Sequence, residues 1–121
     1  MPELTLLCVD DERAGLQVRR LILERQGYSV LTAESGPAGL ELFSEQDVHG
    51  VVLDYYMPQM LGGEVARAMK KLKPQVPIIM LSAYISLPPE ALAAVDAYIV
   101  KGDSPQALID KLKELLKNHT R

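Results

Sequence analysis

Short apolar runs rich in β-branched residues recur five times along the chain, at positions 4–9, 29–32, 51–53, 78–81 and 97–100. Amphipathic segments of helical period separate them. Strands alternating with helices predict a parallel sheet with helices on both faces, and the near-continuous apolarity of the central runs suits strands covered on both sides. In the first helical segment Ala14, Val18, Leu21 and Ile22 fall on one face and Gly27 marks a C-terminal stop. Ser35-Gly36-Pro37 opens a second helix that carries Leu40 and Phe43. A third places Val65, Ala68, Met69 and Leu72 on one stripe and must end before Pro74. The last has Ser104 as N-cap and Pro105 at its first position, then lines up Leu108, Ile109, Leu112, Leu115 and Leu116. Pro88-Pro89 delays the fourth helix, so it is predicted to be short, from Glu90 to about Val95.

A chain of 121 residues suits one domain. With 48% hydrophobic residues it can bury a sizeable core, and with five Tyr, one Phe and no Trp that core must be aliphatic. Thirteen basic against sixteen acidic residues give a net charge of −3, which offers no positive field to gather the phosphates of a nucleic acid. The single cysteine, Cys8, excludes an intramolecular disulfide and a cysteine zinc site, is expected to be an inert buried thiol, and suits a reducing compartment. Asp10-Asp11 interrupts the first apolar run before a signal peptide or membrane span can form, so a cytoplasmic location is expected and no membrane contact. His49 and His119 lie too far apart in context to form a metal site and are expected to be exposed and structural.

In open parallel sheets ligands gather outside the carboxyl ends of the strands. Asp10 and Asp11 follow the first predicted strand and Asp54 the third, which carries three like charges to one edge. Mg²⁺ is the simplest counter-ion for such a cluster. Lys101, after the fifth strand, supplies a cation, and Ser82, after the fourth, a hydroxyl donor. An oxygen nucleophile, a divalent metal, a cation and a neutral donor are what phosphoryl transfer needs, with Asp54 as the natural nucleophile. Taken singly, Asp10 or Asp11 is as well explained as a helix cap.

The chain resembles the response regulator receiver domains of two-component signalling over essentially its whole length. The most specific stretch runs from Asp54 to Glu64, DYYMPQMLGGE, close to the family's Asp-x-x-Met-Pro-x-Met-x-Gly-x-Glu. Val9-Asp10-Asp11-Glu12, Leu81-Ser82-Ala83 and Tyr98-Ile99-Val100-Lys101 follow in the family's order. The resemblance implies a flavodoxin-like, doubly wound five-stranded parallel sheet in a three-layer (βα)5 sandwich, with strand order 2-1-3-4-5. It also implies that residues 1–121 form a receiver, or phosphoacceptor, domain without an output domain. By the same resemblance Asp54 accepts the phosphoryl group. Asp11, Asp54 and the backbone carbonyl of Tyr56 bind Mg²⁺, and Asp10 acts through a metal-bound water. Ser82 and Lys101 contact the phosphoryl oxygens, and Tyr98 is an aromatic switch that turns inward when Ser82 is drawn to the phosphate.

The implied function is a signalling module and not an enzyme beyond its own phosphorylation and dephosphorylation. Its phosphoryl donor is a histidine kinase or a phosphotransfer protein, and its output is a downstream protein or output domain, with a homodimer as a further possibility. A phosphorylation-independent binding module and, with less support, a small Mg²⁺-dependent phosphatase are the rival readings. Three departures from the family stand out. Gly102 replaces the usual proline after the lysine, and because a cis bond is cheap only before proline, the ammonium is either placed by a trans loop using glycine's dihedral range or sits farther from the phosphate. Tyr56 and Tyr84 occupy the two positions that tune phosphate lifetime, and their rings can obstruct in-line water. Only 16 positions separate Ser82 from Tyr98, with Val95-Asp96 in place of a frequent Gly-Ala, so the fourth helix and the output surface are altered.

Overall fold

A computed structural model of the chain describes residues 3–83 and 86–117. Strands and helices alternate: β1 (Thr5–Val9), α1 (Arg13–Arg25), β2 (Ser29–Ala33), α2 (Gly36–Glu45), β3 (Gly50–Asp54), α3 (Gly62–Leu72), β4 (Ile78–Ser82), α4 (Pro89–Leu92), β5 (Ala97–Val100) and α5 (Pro105–Leu116). All neighbouring strands pair in parallel, in the order β2-β1-β3-β4-β5. The doubly wound three-layer fold expected from the sequence is the fold observed.

Alternation along each strand divides the core in two. Leu7, Val9, Val51, Leu53, Ile78 and Met80 point to one face, where they pack with Phe43 of α2 and Val65, Ala66 and Met69 of α3. Leu6, Cys8, Val52, Ile79, Leu81 and Ile99 point to the other, against Leu16 and Leu23 of α1 and Leu108, Ile109, Leu112 and Leu116 of α5. The β3 and β4 strands are buried along their full length, which is why their sequences read as unbroken apolar runs. Cys8 is fully buried, and burial pushes its thiol up to about 12, so it is inert as expected.

Two helix faces differ from the sequence expectation. In α1 the buried positions are Leu16 and Leu23, while Val18 and Leu21 are 57% and 59% exposed. In α3 the stripe against the sheet is Val65, Ala66 and Met69, and Leu72 is exposed. Both helices carry more apolar residues than one face can hold. The expected stripes followed a run of apolar positions adjacent to the one that the helix axis turns toward the sheet. The α5 stripe is as expected except that Leu115 is only half-buried.

Helix ends follow local chemistry. The Ser35 hydroxyl accepts from the Ala38 N–H at 3.2 Å and caps α2. Ser104 stands at the N-cap of α5, but its side chain makes no capping bond, so Pro105 alone favours that start. Gly27, at φ 100°, closes α1 in the left-handed region. The α4 helix is short, as expected, but it is a single turn, Pro89–Leu92, that begins on the second proline and ends before the expected Val95. Asp96 anchors the segment that follows: its Oδ2 accepts from the Ile78 N–H at 2.7 Å and from Lys70 Nζ at 2.8 Å, tying the start of β5 to β4 and α3. His49 is half-buried rather than exposed, because its Nδ1 accepts the Thr5 N–H at 3.0 Å; His119 lies outside the described residues.

The face assignment of α1 is testable by truncation. Leu23→Ala should lower the unfolding free energy by about 2–5 kcal/mol, the usual cost of emptying a closed core site. Leu21→Ala should change it by less than about 0.5 kcal/mol. Urea titrations of both variants check the pair, and equal losses would restore the sequence-based face.

Candidate functional site

Register builds the site. Val9 of β1 pairs with Leu53 of β3, so the next residues, Asp10 and Asp54, leave neighbouring strands side by side. The ladder continues past the strand ends. The Asp10 N–H donates to Ala33 O at 3.1 Å, Tyr55 N–H to Leu81 O at 2.8 Å and Lys101 N–H to Ser82 O at 2.8 Å. Backbone bonds therefore fix each functional residue before any side-chain contact forms. Strand alternation then sorts the side chains. Asp10, Asp54 and Lys101 continue the parity of Cys8, Val52 and Ile99, toward α1 and α5, whereas Ser82 and Tyr98 continue that of Met80, toward α3.

Asp10 is fully buried, Asp54 and Ser82 nearly so, and Asp11 is exposed. Carboxylate oxygens of Asp10, Asp11 and Asp54 all lie within 4.8 Å of one another. Lys101 Nζ bridges two of them, at 2.9 Å from Asp54 Oδ1 and 3.1 Å from Asp10 Oδ2. These residues, with Tyr56 and Ser82, line an open cleft of roughly 260 Å³. A set of hard oxygen donors this close together fits a divalent cation such as Mg²⁺.

The electrostatics follow from burial and neighbours. Burial raises the Asp54 carboxyl above its ordinary value; the Lys101 ammonium pulls the other way, and the Asp10 and Asp11 carboxylates add to the rise. For Lys101 burial opposes the charge, but hydrogen bonds and attraction from Asp54 and Asp10 outweigh it, and the ammonium is held above the usual lysine range. An ionised Asp54 is thus a costly charge that its surroundings compensate only in part.

The loop after β3 explains its own sequence. Gly62 N–H donates to Tyr55 O at 2.6 Å, and a Cβ at position 62 would stand 2.6 Å from the Asp54 carbonyl oxygen. Only glycine fits there. Glu64 Oε1 accepts the Leu61 N–H at 3.1 Å and satisfies an orphan donor at the start of α3. Neither Asp10 nor Asp11 is a helix cap: the N-cap of α1 is Glu12, and Asp10 Oδ1 accepts the Glu12 N–H at 2.9 Å in a turn.

Of the expected site residues, Asp10, Asp11, Asp54, Ser82 and Lys101 are brought together. Lys101 reaches Asp54, so the alternative of a withdrawn ammonium is corrected. The bond to Gly102 is trans, Gly102 has no positive φ, and a Cβ there would meet open space, so the placement does not draw on glycine's special freedom. Tyr56 stands at the rim of the cleft, 62% exposed. Tyr98 packs half-buried against the α2/α3 side of the core, and its Oη is enclosed with no hydrogen-bond partner among the described residues. Tyr84 lies outside the described residues.

One residue escaped the sequence reading. Arg19 Nη1 lies 3.3 Å from Asp10 Oδ2, and its side chain is only 14% exposed. The available signal was its spacing from Leu16 and Leu23, three and four positions away on the buried face, where an arginine interrupts an apolar stripe.

The profile of the response regulator receiver domain matches residues 6–113. The chain is 35% identical over 116 residues to the transcriptional regulatory protein GlrR of Escherichia coli, covering 93% of this chain and 26% of that protein. It is 34% identical over 119 residues to the response regulator MprA of Mycolicibacterium vanbaalenii, covering 95% of this chain and 51% of that protein. It therefore spans between a quarter and a half of the length of these relatives. Among solved structures, a CheY-like receiver domain protein from Methanospirillum hungatei superposes with a TM-score of 0.90 at 33% identity, covering 97% of this chain and 96% of that one. The response regulator TrrA from Thermotoga maritima, in complex with Mg²⁺ and BeF, superposes with a TM-score of 0.89 at 35% identity, covering 93% and 99%.

Two stability measurements follow from this geometry. Because the Asp54 pKa is raised by folding, the penalty of its ionisation is absent below the ordinary carboxyl range and sets in as pH rises through the raised value. Asp54→Asn should melt a few degrees above wild type at neutral pH, with Asp10 still partnering Lys101, and the gap should close as pH falls below about 4. A gap that widens in acid would contradict this. Tyr98→Phe removes a buried hydroxyl that has no partner among the described residues and should raise the unfolding free energy by about 0.5–2 kcal/mol, read by denaturant titration.

Proposed function

Because the chain belongs to the response regulator receiver domain family, we propose that it is a phosphoacceptor module that takes a phosphoryl group onto Asp54 from the phosphohistidine of a histidine kinase or phosphotransfer protein. The observation that carries this reading is the placement of Asp54: its Oδ1 lies 2.9 Å from Lys101 Nζ, inside a carboxylate cluster that opens to the cleft. An Asp54 carboxylate oxygen forms the new bond to phosphorus, and the bond from phosphorus to the donor's imidazole nitrogen breaks, its electron pair returning to the imidazole.

Asp11, Asp54 and the Tyr56 carbonyl would hold Mg²⁺ directly, and Asp10 through water. When bound, the cation supplies positive charge against the phosphoryl oxygens. Lys101 is free to exchange one carboxylate oxygen for a phosphoryl oxygen while still facing Asp10, because both ion pairs converge on one ammonium. Ser82, at the end of the next strand, donates its hydroxyl to a phosphoryl oxygen. That draw on the β4–α4 loop changes the space around Tyr98, whose enclosed hydroxyl then gains a partner, and the altered α4–β5 face reports the state to an output domain or partner protein. Tyr56, at the rim of the cleft, would slow in-line water and lengthen the life of the acyl phosphate, and the same role is proposed for Tyr84 from its position in the sequence.

Residues 1–121 act as the receiver unit of this signalling, in the cytoplasm, where the phosphodonors reside. No helix among the described residues is long and apolar enough to cross a membrane. Beyond its own phosphorylation and dephosphorylation the module needs no enzymatic activity.

Incubation with acetyl phosphate and Mg²⁺ should add one phosphoryl group by intact mass. The gain should vanish in Asp54→Ala and on removal of the metal. A gain that survives Asp54→Ala would move the nucleophile elsewhere, and no gain with either acetyl phosphate or a phosphorylated kinase would leave a phosphorylation-independent binding module as the better description.

A further inference from the structure

Asp10 is the most deeply placed charge in the cleft, and both of its oxygens are engaged. Oδ1 accepts the Glu12 N–H at 2.9 Å, while Oδ2 faces Lys101 Nζ at 3.1 Å and Arg19 Nη1 at 3.3 Å. Lys101 is shared with Asp54, so Arg19 is the cation that Asp10 does not share with another acid of the cluster. It arrives from α1, on the side of the sheet to which Asp10 points, and replaces an apolar contact between Leu16 and Leu23. A charge in that position is costly to bury and persists only with a partner.

The second cation changes what a metal ion meets. Asp10, Asp11 and Asp54 carry three negative charges; Lys101 alone would leave −2, whereas Lys101 and Arg19 together leave −1. A divalent cation that recruits Asp10 must also share or displace the guanidinium on Oδ2, in a site where little water screens the repulsion. Resting on the reading of this cleft as a Mg²⁺ site, we propose that Arg19 is a positioning residue that holds Asp10 and sets the Mg²⁺ affinity of the acidic cluster below what its three carboxylates would otherwise give. Phosphorylation of Asp54 would then respond to free Mg²⁺ over a higher concentration range.

Titration calorimetry of the full chain with MgCl₂, without phosphodonor, tests this in wild type, Arg19→Gln and Arg19→Lys. Glutamine removes the charge and, being shorter, also withdraws the donor from Asp10 Oδ2 while staying polar, so it should bind Mg²⁺ on the order of tenfold more tightly, the effect of deleting one nearby charge from a partly screened site. Lysine restores the charge and should stay within about threefold of wild type. Equal or weaker binding by Arg19→Gln overturns the inference and leaves the Mg²⁺ site standing; no Mg²⁺ uptake by wild type or either variant overturns both. The wild-type protein supplies an independent reading if a variant does not fold. The Arg19 Nε–Hε resonance should shift in proportion to Mg²⁺ occupancy, and a resonance that stays fixed through saturation refutes the proposal.

Discussion

The parallel register between β1 and β3 is the constraint from which the site follows. It places Asp10 beside Asp54 at the carboxyl edge of the sheet, and the backbone bonds that continue past the strand ends hold them there. Two acids so fixed cannot separate to relieve their repulsion. The fold must bring cations to them, and it does so from two directions, Lys101 from the end of β5 and Arg19 from α1. The hydrophobic core maintains this arrangement, because a one-residue slip of a central strand would exchange the side chains packed on α2 and α3 for those packed on α1 and α5 and carry Asp54 out of register with Asp10.

Alternation also puts the carboxylate cluster and Tyr98 on opposite faces of the sheet. Asp10, Asp54 and Lys101 share the parity that faces α1 and α5, while Ser82 and Tyr98 share the parity that faces α3 and α4. A change at Asp54 must therefore cross the thickness of the sheet to be felt at Tyr98, and Ser82, at the end of the strand between them, is where the two sides meet. The single turn of α4 and the Asp96 anchor make the far side unlike a long-helix surface.

Strand positions and the carboxylate cluster were legible in the sequence because both follow from period-two burial and strand-end polarity, which depend on neighbours close in the chain. Helix faces were less so. Val18 and Leu21 have the spacing of a core stripe yet lie in solvent, since the rotation of α1 about its axis is decided by what it packs on and not by its own pattern. Arg19 escaped for the same reason: a residue on a face taken to be exposed invites no question about its partner. The placement of Lys101 could not be derived from Gly102, whose substitution for proline left open both a near and a distant ammonium. Only the three-dimensional balance of two carboxylates against one amine decides between them.

Because Arg19 and Lys101 converge on a single oxygen of Asp10, their contributions cannot be independent. Loss of one leaves the other in place, whereas loss of both strands a fully buried carboxylate with only a backbone N–H. The pair is thus redundant toward the acid it neutralises and specialised toward everything else. Such redundancy frees the lysine: Lys101 can turn wholly toward Asp54 while the Arg19 guanidinium stays on Asp10, so the deepest acid of the cleft is never left without a cation.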